Sequence, residues 1–475
     1  HKVGYGYQVS GYKVGGQASN TTSYGATWTN GDLIGVAYDA DNGTITFYKN
    51  NATQGQAYSG ISTSATYAPF IEEGDGSNNC DLVFNFGQDS SFSGLKTAQG
   101  NQDGNSIGDF YYTPPTNYLA LCTSNLPAAT VTPSEHFDNA TYTANAGTQS
   151  ITGLDFQPDL VWVKRRDDTA SHNLTDAVRG AHKKIKADTE SSEADQSGAD
   201  KGVTSFNSDG FTVKDDSSGN YEMNGPSGAT YVAWNWKANG SGSSNTSGTI
   251  NTTATSSNVD AGFSIVTWTG NDTNGATVGH GLSKAPELIM TKRRTGADIA
   301  WYVYSATIGN ENYVKLNETQ GATDSAIWND TSPTATVFTL SGGEGINSSS
   351  HNYIAYCWHS VEGYSKIGSY VGNGAVSDGT FVYTGFRPAY VLVKSTSFVD
   401  NWFLHDEKRS VNNPMDDSVY PNNSNGESVN DTNVKLDFLA NGFKARGNND
   451  GVNKINGTIL YIAFAETPFK YANAR

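Results

Sequence analysis

The sequence has few cysteines and no long apolar run. Cys80, Cys122 and Cys357 are the three cysteines in 475 residues, and no two of them form a C-x-x-C pair. This spacing argues against a disulfide framework or a zinc ribbon, and we expect buried free thiols because the neighbouring residues are apolar or aromatic. No apolar run approaches the roughly 18–20 residues of a membrane helix, so we expect no membrane insertion.

Basic charge is also scarce. Lys and Arg number 30 against 47 Asp and Glu, which gives a net charge of −17. This balance argues against nucleic acid or an anionic membrane as a partner, because both require clustered cations. Charged residues make up only 16% while glycine numbers 52, a composition typical of extracellular or virion β proteins. Aromatics reach 12%, which argues against disorder.

Familiar catalytic signatures are missing from the sequence. It contains no H-E-x-x-H, G-x-S-x-G or P-loop motif. Glu72 and Glu73 are adjacent, and neighbouring side chains on an extended segment point to opposite sides, so they make a poor glycosidase pair. Asp39, Asp41 and Asn42 lack the glycine and glutamate of a calcium loop and predict a hairpin turn. We therefore expect no enzyme activity, no cofactor and no metal site.

One pattern occurs three times in the chain. Pro158, Pro286 and Pro388 each lie six residues before a lysine that ends an apolar strand, and these lysines are Lys164, Lys292 and Lys394. A second anchor follows each lysine, because Tyr231, Tyr353 and Tyr461 begin aromatic strands 67, 61 and 67 residues later. Two anchors at near-constant separation predict a structural repeat.

The repeat predicts an all-β chain of tandem antiparallel, jelly-roll-like sandwiches with little helix. The only helical candidate is 175–186, and the Gly/Ser/Thr/Asn-rich stretch 238–259 predicts a flexible or extended connection. We divide the chain into four domains. Their ranges are 1–130, 131–248 (copy one), 249–361 (copy two) and 362–475 (copy three).

The first domain resembles the SPRY family. The resemblance covers roughly residues 4–90 and departs at Asn51, where the family usually has glycine. The residues that carry it are the strand 30–39, the Asn42-Gly43 turn, the strand 44–50, and two further predicted strands, 69–71 and 82–87. It implies a concanavalin A-like β-sandwich that binds partners through loops, here without its N-terminal strands and with a proline-rich tail. The chain starts at His1, so we expect a longer polypeptide.

The three copies resemble tandem modules of tail-fibre and other virion proteins of marine and T7-like phages. Copy one matches less closely, having Ala144 where the pattern has glycine. The motifs that carry the resemblance are 268–271, 370–373, 385–388, 279–282 and 463–469.

Two motifs could carry chemistry. Asp176 with Arg179 and Asp406 with Arg409 occupy equivalent places, each aspartate 12 residues past its strand lysine. They could bind a glycan or act in catalysis, but an ion pair that pins a loop is the favoured interpretation. The basic triplets 164–166 and 292–294 could hold a phosphate or an acidic neighbouring subunit, although a solvated strand end is commoner.

The resemblance implies a non-enzymatic bacteriophage virion protein, a tail fibre or appendage component that binds a host-surface glycan or protein. We expect it at the virion surface, in contact with other virion proteins and as a homo-oligomer, possibly a trimer. A capsid decoration or head-fibre protein, a polysaccharide depolymerase using Asp176 and Asp406, and a cellular adhesin remain alternatives.

Overall fold

The computed structural model describes residues 4–16, 21–63, 67–71, 82–126, 128–214, 221–343 and 345–472. Its regular structure is nearly all antiparallel β, which confirms the predicted all-β class. Contacts divide the chain into two compact units, His1–Pro127 and Ala128–Arg475. The described helices are short: α1 spans Asp450–Asn453, and single 3-10 turns lie at Thr123–Asn125, Pro133–Glu135, Ser197–Ala199 and Ala326–Trp328. None of these helices is long and apolar enough to cross a bilayer.

The first unit contains two three-stranded antiparallel sheets. The first sheet is formed by β1 (Gly4–Tyr7), β2 (Tyr12–Gly16) and β3 (Thr21–Ser23), and the second by β4 (Ile34–Asp39), β5 (Thr44–Lys49) and β6 (Ala52–Tyr58). Asn50 and Asn51 link β5 to β6 with φ of 48° and 68°. Asparagine tolerates this left-handed conformation, so Asn51 replaces the family's glycine without breaking the hairpin.

Two strands expected in the first unit do not form. Residues 69–71 and 82–87 pair with neither sheet, and Phe70, Leu82, Val83 and Phe84 are exposed. The SPRY resemblance predicted strands there, but a strand also needs a neighbour for its N–H and C=O groups. By contrast, the predicted turn after β4 is present, because Asp39 Oδ1 accepts the N–H groups of Asp41 and Asn42 at 3.1 and 2.9 Å.

Copy one forms a six-stranded and a three-stranded sheet. Its strands are β7 (Phe137–Thr143), β8 (Thr148–Thr152), β9 (Leu160–Arg165), β10 (Asn173–Asp176), β11 (Lys183–Lys186), β12 (Ala194–Asp195), β13 (Gly202–Asn207), β14 (Gly210–Lys214) and β15 (Thr230–Trp236). The large sheet has the order β12-β11-β10-β9-β15-β7 and the small one β13-β14-β8. The helix expected at 175–186 is wrong. This segment contains the end of β10, a turn with Gly180 and His182 at positive φ, and β11.

Copy two repeats this arrangement. Its strands are β16 (Ala254–Asn258), β17 (Phe263–Thr269), β18 (Ala276–Gly279), β19 (Leu288–Arg293), β20 (Tyr302–Ser305), β21 (Asn312–Lys315), β22 (Thr323–Asp324), β23 (Val337–Leu340) and β24 (Asn352–Trp358). The large sheet has the order β16-β17-β24-β19-β20-β21-β22, and β18 pairs with β23 in the small one. The connection 238–259 is extended rather than loose. Ser243 bridges Thr255, and β16 pairs with β17.

Copy three has a four-stranded and a three-stranded sheet. Its strands are β25 (Ser365–Val371), β26 (Phe381–Tyr383), β27 (Phe386–Ser395), β28 (Trp402–Asp406), β29 (Leu436–Leu439), β30 (Gly442–Ala445) and β31 (Thr458–Pro468). The large sheet has the order β25-β31-β27-β28 and the small one β26-β30-β29.

Strand registers establish which residues correspond between copies. Lys164, Lys292 and Lys394 lie opposite Val232, Ile354 and Leu460. The second sequence anchor is therefore displaced in copy three. Ile459, and not Tyr461, occupies the position of Tyr231 and Tyr353. The displacement is two residues, which is one period of a β-strand. Tyr461 therefore points to the same face as Ile459, and the shift cannot be seen in the sequence motif.

Each large sheet is buried on both faces. One face packs against the small sheet of its own copy and forms a core that contains residues of that copy alone, with Phe211, Phe338 and Phe443 at equivalent places. The other face joins a core shared by all three copies, which includes Trp162, Trp234, Trp236, Met290, Tyr356, Trp358, Leu392, Ile462 and Phe464. A residual void of about 10 Å³, lined by all three copies, lies within this core, which is therefore packed and not a channel.

Candidate functional site

The three repeat lysines join neighbouring copies. All three are almost fully buried, and each donates to one carbonyl of its own copy and one of a neighbouring copy. Lys164 Nζ bonds Ala170 O (2.8 Å) and Ser424 O (3.3 Å), and Lys394 Nζ bonds Asp400 O (2.7 Å) and Thr319 O (2.9 Å). Lys292 Nζ donates in the same way to Ile299 O and Glu190 O. Burial lowers the pKa of each lysine to about 8.

Backbone hydrogen bonds repeat the same connection three times. Ala170 N donates to Ser424 O, Ile299 N to Glu190 O and Asp400 N to Thr319 O, at 2.9, 3.0 and 2.9 Å. The contacts therefore run from copy three to copy one, from copy one to copy two, and from copy two to copy three. The three copies form a closed ring, and we call the three contacts the 3/1, 1/2 and 2/3 seams.

The 1/2 seam contains a buried ion-pair network. Arg179 Nε lies 2.5 Å from Asp176 Oδ2, and Tyr356 Oη of copy two donates to the same carboxylate oxygen at 2.8 Å. Glu193 extends the network from Arg179 to Arg294 of copy two, at 3.3 and 2.9 Å. Burial raises the Glu193 pKa, but the two arginines outweigh it and the net pKa is lowered.

The 3/1 seam has the same construction. Arg409 Nε lies 2.5 Å from Asp406 Oδ2, and Trp234 Nε1 of copy one donates to that oxygen at 3.0 Å. Glu427 connects Arg409 to Arg166 of copy one, at 2.8 Å on each side. The Asp–Arg pairs are thus enclosed between sheets, with both partners' side chains at 0% exposure. They pin neighbouring copies and are not open to a ligand.

The basic triplets also belong to these seams. The lysines are buried, Arg166 and Arg294 pair with glutamates of the neighbouring copy, and Arg165 and Arg293 are nearly buried. The solvated strand end expected for these triplets is wrong. The alternative, that the triplets bind an acidic neighbour, agrees with these pairs, but the neighbour is another copy of the same chain and not a separate subunit.

The 2/3 seam has lost these charges. Ser305 of copy two lies opposite Leu288, as Asp176 lies opposite Leu160, and Ile308 follows at the arginine position. Ala322 and Thr396 stand where the other seams have the bridging glutamate and the arginine of the neighbouring copy. Ala322 N donates to Thr396 O at 2.8 Å, so the backbone bond of this position is kept. Ile308 packs against the shared core.

A polar cleft lies at this neutral seam. It is open to solvent, has a volume of about 500 Å³ and is lined by Asn317, Glu318, Thr319 and Gln320 of copy two and Asn401, Asn422 and Asn423 of copy three. At the 1/2 seam, the positions of Asn317 and Asn401 are occupied by Asp188 and Ala300. At the 3/1 seam, they are occupied by Asn422 and Ser171. Only the 2/3 seam therefore has asparagine at both positions, whereas the 3/1 seam has Asn422 at one of them and the 1/2 seam has none.

Hydrogen bonds to the core hold the cleft walls in place. Asn317 Oδ1 accepts Trp301 N at 2.8 Å and Asn422 Oδ1 accepts Trp402 N at 2.9 Å. Asn422 Nδ2 then donates to Asn401 Oδ1 at 2.8 Å. No bond between described residues uses Nδ2 of Asn317. Sequence reasoning missed this site, because asparagine is abundant and the two walls are about 100 residues apart.

Other residues considered in the sequence contribute no site. Cys357 is a buried free thiol whose pKa is raised by burial, and Cys122 is free and half-buried. Cys80, Glu72 and Glu73 lie outside the described residues. Among the residues that the structure covers, no three His, Cys, Asp or Glu side chains form a group that could hold a metal ion.

The second unit is thus an all-β domain with three internal copies around a common core. Residues 132–468 match the model of a domain of unknown function, DUF7483, and this match covers more than half of the chain. The chain belongs to the DUF7483 family. Residues 2–89 match the SPRY domain, which together with the β-sheets of the first unit supports a SPRY-type β-sandwich. No curated protein and no solved structure matches the chain.

Proposed function

We propose that the chain is a non-enzymatic virion structural protein of a bacteriophage, a tail-fibre or appendage component that binds a host-surface glycan in the 2/3 cleft. The observation that supports binding is the amide lining of the cleft, where Asn317 and Asn401 both carry amides, whereas neither other seam has amides at both equivalent positions. The resemblance of the three copies to phage fibre modules supports the virion assignment.

The chemistry of the cleft suits sugar hydroxyls. A side-chain amide offers both donors and an acceptor, and a hydroxyl needs both. Glu318 is the one carboxylate of the lining, and Lys315 holds it at 2.7 Å. A neutral glycan would therefore be preferred over an anionic one, since the acidic chain repels negative charge.

A glycan array followed by calorimetry tests this proposal. Gln320→Ala with Asn423→Ala should weaken glycan binding at least tenfold, because each change removes hydrogen bonds from the cleft. The matched control is Ser191→Ala, at the copy-one position that corresponds to Gln320. Both proteins should unfold at the wild-type denaturant concentration. Absence of binding to any host glycan, or equal weakening by the control, would contradict the cleft assignment.

Immunogold electron microscopy on particles tests the virion assignment separately. Label confined to the tail or its fibres is expected. Label spread evenly over the head would indicate a decoration protein, and particles without label would contradict a virion role.

Oligomerisation belongs to the same proposal. The resemblance implied a homo-oligomer, possibly a trimer, but the three seams of the ring are all internal to one chain. A homotrimer would therefore associate through other surfaces. Light scattering on the purified chain measures its mass.

A further inference from the structure

Copy three differs from the other copies on the outer face of its small sheet. The buried pairs Phe211–Ile151, Phe338–Val278 and Phe443–Val382 fix the correspondence. The residues on either side of Val382 are Phe381 and Tyr383, exposed at 45% and 57%. The corresponding residues are Ser150 and Thr152 in copy one and Thr277 and Gly279 in copy two. The aromatic pair is therefore not needed to form this sheet.

These two aromatics lie on an open strand edge. β26 is the terminal strand of the order β26-β30-β29. Ala445 N bonds Thr380 O and Thr384 N bonds Asn441 O at 3.0 Å each, so Val382 completes the ladder with Phe443. In antiparallel alternation the N–H and C=O groups of Phe381 and Tyr383 then point away from the sheet.

The equivalent edge in copy two is occupied. Ile250 forms a parallel bridge with Val278, and Ile250 N donates to Thr277 O at 2.9 Å. Thr277 N donates to Thr249 Oγ1 at 2.8 Å. A Cβ at Gly248 would lie 2.3 Å from Thr277 O, so glycine permits the close approach. The fold thus accepts an extended glycine–threonine–isoleucine segment at this edge, and copy two takes it from the connection that precedes it.

We propose that β26 of copy three binds an extended segment of another protein in the same parallel alignment, with small residues followed by an aliphatic side chain. The outward groups of Phe381 and Tyr383 supply the backbone hydrogen bonds. The aliphatic side chain packs on the inner face beside Val382, as Ile250 does beside Val278, and the exposed rings contact the residues on either side of it. This surface is separate from the 2/3 cleft.

The probe is a fluorescent peptide with this chain's own sequence 245–251, Asn-Thr-Ser-Gly-Thr-Ile-Asn, titrated against the full chain by anisotropy. Saturable binding is expected, together with slower hydrogen exchange at the amides of Phe381 and Tyr383. Phe381→Pro removes an outward N–H that the sheet does not use, and should abolish binding. Ser150→Pro, the equivalent change in copy one, should leave it unchanged.

A second variant keeps the test independent of proline. Phe381→Thr with Tyr383→Gly restores the residues of copy two and should weaken binding about tenfold without changing the unfolding midpoint. Absence of saturable binding to the wild-type chain, or unaltered binding by Phe381→Pro, would overturn the proposal. Glycan binding lost on Phe381→Ala, with no peptide bound, would also overturn it and assign the side chains to sugar stacking.

Discussion

The three seams of the ring share one backbone geometry but differ in charge. The 1/2 and 3/1 seams each bury an aspartate, two arginines and a glutamate. The 2/3 seam keeps the hydrogen bonds of the buried lysine and the backbone bonds. At the positions of the aspartate, the two arginines and the glutamate it has uncharged residues, which are Ser305, Ile308, Ala322 and Thr396. A seam of this fold therefore does not need the charges in order to close.

This difference suggests that the buried charges specify order more than they add stability. Removing an ion pair from water costs nearly as much as the attraction returns, so an apolar replacement is often neutral. Three similar sheets in one chain could pair in the wrong order. Networks on both sides of copy one exclude such pairings because a mismatched seam would leave a buried charge without a partner.

Arg409→Met is the change with the largest expected effect. It leaves Asp406 buried without its cation and Glu427 with Arg166 alone, which should cost about 3–5 kcal/mol of unfolding free energy. Urea unfolding followed by tryptophan fluorescence measures the loss. Ile308→Met at the neutral seam is the control and should cost less than about 1.5 kcal/mol. Equal losses would show that the two seams do not differ in this way.

Lys394→Met tests the buried lysine that donates to two carbonyls at every seam. Asp400 O loses the Lys394 donor and Thr319 O keeps only the N–H of Asp400, with an expected loss of about 1–3 kcal/mol. The pH profile is the sharper readout. The folded pKa of about 8 lies below the unfolded value of 10.5, so the unfolded chain binds more protons between these values and stability rises with pH. The rise between pH 8 and 10 should be smaller in the variant, and an unchanged slope would exclude Lys394 as its source.

Converting a charged seam to the neutral one should have the smallest effect. Asp406→Ser, Arg409→Ile, Glu427→Ala and Arg166→Thr together copy the residues of the 2/3 seam. Because no charge is left unpaired, stability should stay within about 2 kcal/mol of the wild type. A loss as large as that of Arg409→Met alone would show that the network itself stabilises the ring.

Local pattern was sufficient for the repeat and the fold class. Prolines, lysines and the short apolar runs between them located the signature strands β9, β19 and β27, since turn chemistry and apolar runs of strand length are local features of the sequence. Sequence patterns failed at 175–186, where a turn separates two short strands, and at 82–87, which pairs with none of the strands that the structure describes.

The candidate site was not predictable in this way. The sequence located Asp176, Arg179, Asp406 and Arg409 as equivalent, and the favoured interpretation was a structural pair. Their partners from the neighbouring copies, Tyr356 and Trp234, lie 180 and 172 residues away from the aspartates along the chain. The cleft residues carry no motif. Asn317 and Asn401 become neighbours only because copies two and three share a seam.

The sequence by itself determined that the chain is all-β and that one unit is repeated three times, because these properties depend on spacing within each copy. Apolar runs such as Leu160–Val163 also indicate strands covered on both faces. What covers the second face was decided only by the tertiary structure. The sequence pattern around a buried Trp162 or Lys164 is the same whether the residue packs against its own sandwich or against another copy. The lysines are buried, and the cleft is formed, only because the three copies close into a ring.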